Sequence, residues 1–389
     1  MRNLELFAGA GGLAMGMSRA GFEQAAVIER DRAACSTFRI NQRHHMSLVE
    51  DWPIFEMDAK DFDYDPYKGH IDLISGGPPC QPFSMGGKHK SHNDDRDMFP
   101  LAIKAVRDVH PKAFIFENVR GLTRKSFSNY LAYILLQLQH PEISRNDDEE
   151  IYDHQIRLEK EHTASRMAPT YNVIYNVINA ADFGIPQKRE RVFFVGFRSD
   201  LGISWSFPEP THSSDVLSYE KFVTRQYWDE HRLFNREQIS SEAIQALVRR
   251  LEAKCTHPRR RWRTVRDALV GLPDPQDRMA PLVANHVFTP GARAYPGHTG
   301  SRLDEPAKTL KAGQHGVPGG ENMFVQDCGG VRYFTIREAA RMQTFPDNYT
   351  FHGSWSESMR QLGNAVPVQL AEVMAVSIAA ALRATVGNY

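Results

Sequence analysis

Cys80 stands in the run Gly76-Gly77-Pro78-Pro79-Cys80-Gln81-Pro82-Phe83-Ser84, directly after the apolar stretch Ile71–Ser75. Thiolate is the attacking form of cysteine. A sulfur carried past a strand end on a stiff Pro-Pro support has the setting of a nucleophile, and that role calls for a lowered thiol pKa. Glu117-Asn118-Val119 closes a second strand-like stretch, Ala113–Glu117. Gln187-Lys188-Arg189-Glu190-Arg191 runs into a third, Val192–Phe197. Strand alternation puts Arg189 and Arg191 on one face and Glu190 on the other. Taken singly, either charged group also reads as a surface salt bridge. Together they bring an acid and a planar cation to the sheet edge that carries Cys80.

A fourth signal concerns a cofactor. Gly9-Ala10-Gly11-Gly12-Leu13-Ala14 has the form G-x-G-x-x-A after the short strand Leu4–Phe7, and Glu29 follows Gly9 by twenty residues. Glycines allow a tight turn and a close backbone approach, and the helix that follows favours a negative group. A carboxylate at Glu29 can accept bonds from two ribose hydroxyls. The pattern says adenosine-type cofactor, with NAD and S-adenosylmethionine both open, and it also occurs as a purely structural turn. Asp58, after Ile54-Phe55, can bond an adenine amine or can be an exposed turn residue.

These groups must be held by a sheet. Strand-like runs at 4–7, 25–29, 71–75, 113–117, 171–179 and 192–197 alternate with helical spacing through Met17 and Ala20, over Met98–Val109 and over Phe127–Leu138. That rhythm predicts an α/β, Rossmann-like, largely parallel sheet over residues 1–199. The stretch Glu142–Glu161, with eight acidic and three basic residues, reads as a solvated helical insertion at about 140–165. Residues 200–330 lose the alternation and read as a smaller, loop-rich domain. Residues 331–389 return to the first domain, ending in a helix whose apolar face is Leu370, Val373, Met374, Ser377, Ile378, Ala381 and Leu382.

Composition narrows the classes. In 389 residues there are 47 Lys+Arg and 47 Asp+Glu, so a uniformly basic coat is excluded while a local basic face is not. Apolar residues at 41% and charged residues at 24% exclude a disordered or collagen-like chain. Four cysteines, Cys35, Cys80, Cys255 and Cys328, make neither a disulfide framework nor a metal site. No signal peptide or membrane-spanning run of about 18 apolar residues is expected, and the natural location is the cytoplasm, with no membrane partner.

The ordered motifs resemble those of the DNA (cytosine-5)-methyltransferase family. They are Phe7-Ala8-Gly9-Ala10-Gly11-Gly12, Pro78–Ser84, Glu117-Asn118-Val119, Gln187–Arg191, Arg337–Pro346 and Gly363-Asn364-Ala365-Val366-Pro367. The resemblance spans residues 7 to 367. It implies methyl transfer from S-adenosylmethionine to C5 of a cytosine flipped out of duplex DNA, leaving S-adenosylhomocysteine, with Cys80 attacking ring C6. Glu117 would act as a general acid at N3, Arg191 would hold the base O2, and Arg189 would support the loop or substrate. Phe7, Gly9, Gly11 and Gly12 would line the cofactor, Glu29 would take its ribose and Asp58 its adenine amine. Met98 would make an apolar contact and Asn364 would close the site. No metal is implied.

In the family the region corresponding to 200–330 recognises the target sequence. Arg249 to Arg266 holds eight Lys/Arg and one Glu, and its densest part is Arg259-Arg260-Arg261-Trp262-Arg263. Such a stripe suits phosphate contacts and guanine edges, or is a solvated helix face. Thr309-Leu310 resembles a short pair near the end of such regions. Arg337, Glu338 and Arg341 are expected to organise a hinge. The resemblance extends to bacterial modification enzymes, acting as monomers, paired genetically but not physically with a restriction endonuclease. RNA methylation is the first alternative, but the Cys-Phe-Thr stretch of those lookalikes is absent. A non-catalytic DNA-binding protein and an NAD enzyme are the others.

Overall fold

The computed structural model describes residues 1–79, 98–163, 169–233, 240–254, 259–312 and 321–386. Seven strands form the main sheet: β1 (Arg2–Leu6), β2 (Glu23–Glu29), β3 (Ile54–Glu56), β4 (Leu73–Gly76), β5 (Ala113–Val119), β6 (Tyr171–Asn179) and β7 (Glu190–Arg198). Their spatial order is 3-2-1-4-5-7-6. Strands β1 to β5 are mutually parallel, as the alternation with helices predicts. The last two depart from it: β7 runs antiparallel to both β5 and β6. The link from Ala180 to Arg189 is too short for a crossover helix, so β6 and β7 pair as a hairpin.

Helices α1 (Gly12–Arg19), α2 (Arg32–Arg43), α3 (Phe99–Val109), α4 (Ser128–Gln139) and α5 (Ile151–Thr163) accompany the sheet. Strand order reverses between β1 and β4, which opens a crevice past their carboxyl ends where ligands bind in such sheets. The central strands are apolar and buried, with one exception. Asn3 and Glu5 on β1, Gln24 on β2 and Ser75 on β4 form a polar cluster inside the sheet, all at most 5% exposed.

Helix α5 falls in the acidic insertion. It is not wholly solvated: His154 and Leu158 are buried, and His154 contacts Tyr133 Oη at 2.8 Å through Nδ1. Burial pushes His154 towards its neutral form.

Between residues 200 and 330 the chain forms helices α6 (Ser214–Phe222), α7 (Gln226–Glu230), α8 (Ser241–Lys254) and α9 (Val265–Leu269) within otherwise irregular chain. A two-stranded pair, β8 (His212–Ser213) with β9 (Arg260–Arg261), joins its ends. Leu217, Tyr227 and Trp228 are a small core of its own. Trp205 and Phe207 still pack on the main sheet's core, and Val265 onwards shares a core with Ala10, Ala14 and Phe38.

A small sheet of β10 (Ser301–Arg302), β11 (Met323–Val325) and β12 (Val331–Tyr333) follows, then α10 (Ile336–Met342), α11 (Trp355–Asn364) and α12 (Val368–Val386). Trp355–Thr385 is long and apolar enough to cross a membrane by length and composition, yet most of its apolar stretch is buried inside the protein, as in a core helix. The buried spine of α12 is Leu370, Met374, Ile378 and Leu382, as the periodicity indicates. Val373 and Ala381 are partly buried against the same core, and the more deeply buried flank is Ala371, Ala375 and Ala379. The cause is close packing on α1, where a Cβ on Gly16 would lie 2.3 Å from that of Ala371.

Candidate active site

A cavity of about 730 Å³ opens past the ends of β1 and β4. Its wall brings together Phe7, Gly9, Gly12, Glu29, Asp58, Met98, Glu117, Arg191 and Asn364, all singled out from the sequence. Phe7, Gly9 and Gly12 come from the β1–α1 turn, Glu29, Asp58 and Glu117 from the ends of β2, β3 and β5, Arg191 from the start of β7, Met98 from the start of α3 and Asn364 from the end of α11. Phe7 leaves β1 at φ 54°, a region costly for a bulky residue, and the Ala8 amide donates to Ile28 O at 3.2 Å beside it. At Gly12 the segment between α11 and α12 comes so close that a Cβ would sit 2.1 Å from Val366 O. Gly11 does not line the cavity. It turns the chain at φ 80°, with Phe38 and Trp52 filling the space beside it.

Glu29 is held by two amides. Gly9 N donates to Oε2 and Asp31 N to Oε1, both at 2.7 Å. Burial pushes its carboxyl up, against those two hydrogen bonds. Each oxygen keeps a lone pair for a hydroxyl donor. Asp58 contacts Arg30 at 3.2 Å; burial would raise its carboxyl, but the Lys60 amide and Arg30 hold it below the usual range. With the glycine turn, this donor set fits an adenosine-type cofactor: a ribose acceptor, an adenine acceptor and an apolar neighbour in Met98.

Glu117 and Arg191 face each other across the β5–β7 pair. Arg191 Nε lies 2.8 Å from Glu117 Oε1, but the two are not aligned as a hydrogen bond, and Oε1 has no other partner among the described residues. A buried acceptor left this way is what an incoming donor would satisfy. Strand alternation holds: Arg189 and Arg191 turn inward while Glu190 is exposed against Arg120. Arg189 does not reach the cavity wall. It is fully buried, its Nη2 donates to Gly363 O at 3.0 Å, and Nε and Nη1 have no partner among the described residues. Burial and then the neighbouring Arg191 disfavour its charge, opposed by Glu117. Since a guanidinium stays protonated in proteins, this reflects the cost of burying it, with a second cation adding to that cost.

Cys80 lies outside the described residues. The leg that leads to it is placed: Asn118 Nδ2 donates to Pro78 O at 2.9 Å, and Val119 N donates to Asn118 Oδ1 at 2.8 Å. The sequence signalled Asn118 only as the neighbour of Glu117; its work is to tie β5 to the Pro78-Pro79 support. Asn118→Ala is expected to slow turnover by roughly tenfold to a hundredfold with cofactor affinity unchanged, because misplaced reacting groups cost rate rather than binding. Single-turnover kinetics beside a cofactor titration would check it.

Other organising residues gave weaker signals. Gln187 is buried, accepts from Leu310 N at 3.0 Å and donates to Met342 O at 3.2 Å. Tyr349 Oη donates to Ala10 O at 2.8 Å, fastening the glycine turn from the far end of the chain. Arg337, Glu338 and Arg341 organise this junction. Arg337 bonds Ala284 O, Pro346 O and Tyr349 O, Arg332 grips Glu338 with two nitrogens, and Arg341 reaches Ala268 O and Val270 O.

The arginine cluster divides. Arg259 and Arg260 are exposed and Arg263 is half-buried, none with an ion pair among the described residues. Arg261, expected on DNA with them, is instead caged by Glu220, Glu230 and Asp267 at 2.9, 2.9 and 2.6 Å. A guanidinium paired with three carboxylates holds α6, α7 and α9 together, and its charge is already matched within the protein. Thr309 Oγ1 donates to Lys188 O at 2.8 Å, at the seam with the main sheet. Trp262 Nε1 donates to Asp182 Oδ1 at 2.9 Å across the same seam.

A nucleotide-type crevice with a carboxylate–guanidinium pair beside the Pro78-Pro79 strand end fits a group-transfer enzyme. The chain belongs to the C-5 cytosine-specific DNA methylase family, whose model matches residues 1–142 and 153–380. The gap between those two spans falls in the acidic insertion. The type II methyltransferase M.NgoMIV of Neisseria gonorrhoeae is 30% identical over 98% of both chains. M.PspPI of a Psychrobacter strain is 32% identical over 98% of this chain and 79% of its own. Among solved structures, a prophage-encoded DNA modification methyltransferase from E. coli matches with a TM-score of 0.58 at 22% identity, covering 98% of this chain and 99% of that one. Dnmt2 of S. pombe matches at 0.56 and 18%, covering all of both chains. The enzyme is a DNA cytosine-5 methyltransferase, and S-adenosylmethionine-dependent methyl transfer to cytosine is its family's reaction.

Proposed function

We propose that Cys80 adds to C6 of an extruded cytosine, that Glu117 places a proton at N3, and that Arg191 steadies O2. The C6–S bond pushes electron density to C5, which is otherwise a poor nucleophile, and splits one hard step into easier ones. S-adenosylmethionine supplies the methyl group. A water or hydroxide then takes the C5 proton, and the electron pair left behind expels Cys80. Arg189, through Gly363, stiffens the wall behind Arg191 and Asn364. Phe7, Gly9, Gly12, Glu29, Asp58, Met98 and Asn364 hold the cofactor, with Gly11 turning the chain beneath it. The observation that carries this reading is a single cavity wall shared by those cofactor residues, Glu117 and Arg191.

The division of labour is between a catalytic domain at 1–199, its return at 331–389, and a target-recognition domain at 200–330. Arg259, Arg260 and Arg263 meet DNA, and Thr309 sets the seam. The enzyme works as a cytoplasmic monomer, as the modification partner of a restriction endonuclease it need not touch. Bisulfite sequencing of DNA from cells expressing the chain tests this: protected cytosines at one short sequence support it, and methyl incorporation confined to tRNA overturns it.

Two arginine substitutions should separate. Arg260→Ala is expected to weaken DNA binding and flatten its salt dependence by about one unit of slope with the melting temperature unchanged. Arg261→Ala is expected to cost about 2 kcal/mol of stability, because it strands three carboxylates, less than for a fully buried pair since Glu230 is partly exposed. Thermal unfolding and salt-dependent binding check both.

A further inference from the structure

Among the described residues five carboxylates line the cavity, and four of them already have partners. Glu29 accepts from two amides, Asp31 pairs with Arg360 at 2.6 Å, Asp58 with Arg30 and Glu117 with Arg191. The fifth, Glu5 on β1, is 1% exposed and has no cationic partner among the described residues. Its neighbours within the sheet are Ser75 and Asn3, and Gln24 extends the cluster by accepting from Asn3 Nδ2 at 2.9 Å. Helix α1, packed over this face, brings Ala14 O and Ser18 Oγ to Gln24 and no charge.

The setting of Glu5 disfavours a charge. Ser75 Oγ donates to Glu5 Oε2 and itself accepts from Asn3 Nδ2 at 2.8 Å, so among the described residues one hydroxyl and a long 3.5 Å contact from Asn3 Nδ2 face the carboxyl within the sheet. A carboxylate taken out of water with no cation beside it is costly, which favours the neutral acid. Burial pushes this carboxyl up to about 8 against the hydrogen bonds of Ser75 and Asn3.

We propose that Glu5 is a charge-responsive cofactor-binding group: a neutral acid in the empty cavity that gives up its proton when the cationic methyl donor binds, and so favours donor over product. The proposal rests on the reading of this cavity as the S-adenosylmethionine site. That donor carries a sulfonium and an ammonium against one carboxylate, a net positive charge. S-adenosylhomocysteine has lost the sulfonium. A positive charge brought into a dry cavity stabilises an unpaired carboxylate next to it. The proton leaves to solvent, and Ser75 goes on donating to Glu5. After transfer the sulfonium charge is gone, Glu5 takes a proton back, and product release is eased.

The sign follows from linkage. A group whose pKa falls on binding releases protons over the interval between its two values, and affinity rises with pH there. Donor affinity is expected to climb roughly tenfold from about pH 6.5 to about pH 8, and product affinity much less. Calorimetry of the wild-type enzyme in two buffers of unlike ionisation enthalpy reads this directly. The expected result at neutral pH is release of on the order of one proton with S-adenosylmethionine and clearly fewer with S-adenosylhomocysteine. In Glu5→Gln that difference should vanish, while in Glu29→Asp, which keeps a carboxylate at the ribose position, it should persist. Equal proton release with both ligands in the wild type overturns the proposal, as does an unchanged difference in a folded Glu5→Gln. No binding heat with either ligand would instead overturn the cofactor reading itself.

Discussion

Alanine in place of Cys80 is expected to stop methyl transfer, lowering the rate by at least about 10⁴-fold, since loss of a covalent nucleophile removes the step on which the rest depends. The argument is chemical. Ring C5 of cytosine cannot take a methyl group until C6 carries a nucleophile, and none of the cavity-wall side chains is a better candidate. Cys35 is no substitute: burial and then the charge of Glu29 push its thiol up to about 12, and its sulfur sits against Glu29 O at 3.3 Å behind β2. Cofactor affinity and DNA affinity should survive the substitution, because neither depends on the sulfur. Methyl incorporation into duplex DNA, measured beside cofactor titration, separates loss of chemistry from loss of binding.

Glu117→Gln is expected to cost about 10²- to 10⁴-fold in turnover, the usual worth of a positioned general acid. Its amide keeps the shape of the side chain but delivers no proton to N3. A second consequence follows from the pairing with Arg191, whose side chain is 14% exposed. Burial already disfavours the Arg191 charge, and Glu117 is the group that opposes it. Removing one member of a buried ion pair strands the other, so the variant should also lose about 3 kcal/mol of stability. Glu117→Gln therefore differs from Cys80→Ala, which leaves that pair intact. Rate and melting temperature measured on both variants distinguish a chemical role from a purely structural one.

Much of this site was legible because its groups sit where strands end. Glycine turns, Pro-Pro and charged clusters after apolar runs are local signals, and the crevice that collects them follows from strand order. Glu29, Asp58 and Glu117 came out on one cavity wall for that reason. What stayed hidden depends on tertiary neighbours. The fate of Arg261 turned on Glu220, Glu230 and Asp267, which arrive from three helices and leave no trace in the arginine run itself. Asn118 looked like spacing until its bond to Pro78 was seen. Tyr349 carried no signal, since its partner is a backbone carbonyl more than three hundred residues away. The antiparallel β6–β7 hairpin hid because strand periodicity says nothing about direction. The helices between 214 and 269 hid behind a composition rich in Pro, Gly, His and Arg.

The polar cluster at Asn3, Glu5, Gln24 and Ser75 is instructive in another way. By alternation these positions belong to the sheet's buried face, and an apolar side chain would pack there at less cost. Here the polar network lies under the turn that faces the cavity, where Glu5 has the role proposed above.

Everything proposed for the chemistry requires a bond between the Cys80 sulfur and a pyrimidine ring outside the helix. Duplex DNA carrying 5-fluorocytosine at the methylated position tests this most directly, because fluorine cannot leave as a proton does and the methylated adduct cannot collapse. With S-adenosylmethionine present, a denaturation-resistant protein–DNA complex should form in the wild-type enzyme, with the peptide containing Cys80 bearing the added mass, and none in Cys80→Ala. A wild-type enzyme that methylates ordinary DNA yet yields no such complex at its own target sequence, or a complex that maps to another residue, would contradict the mechanism.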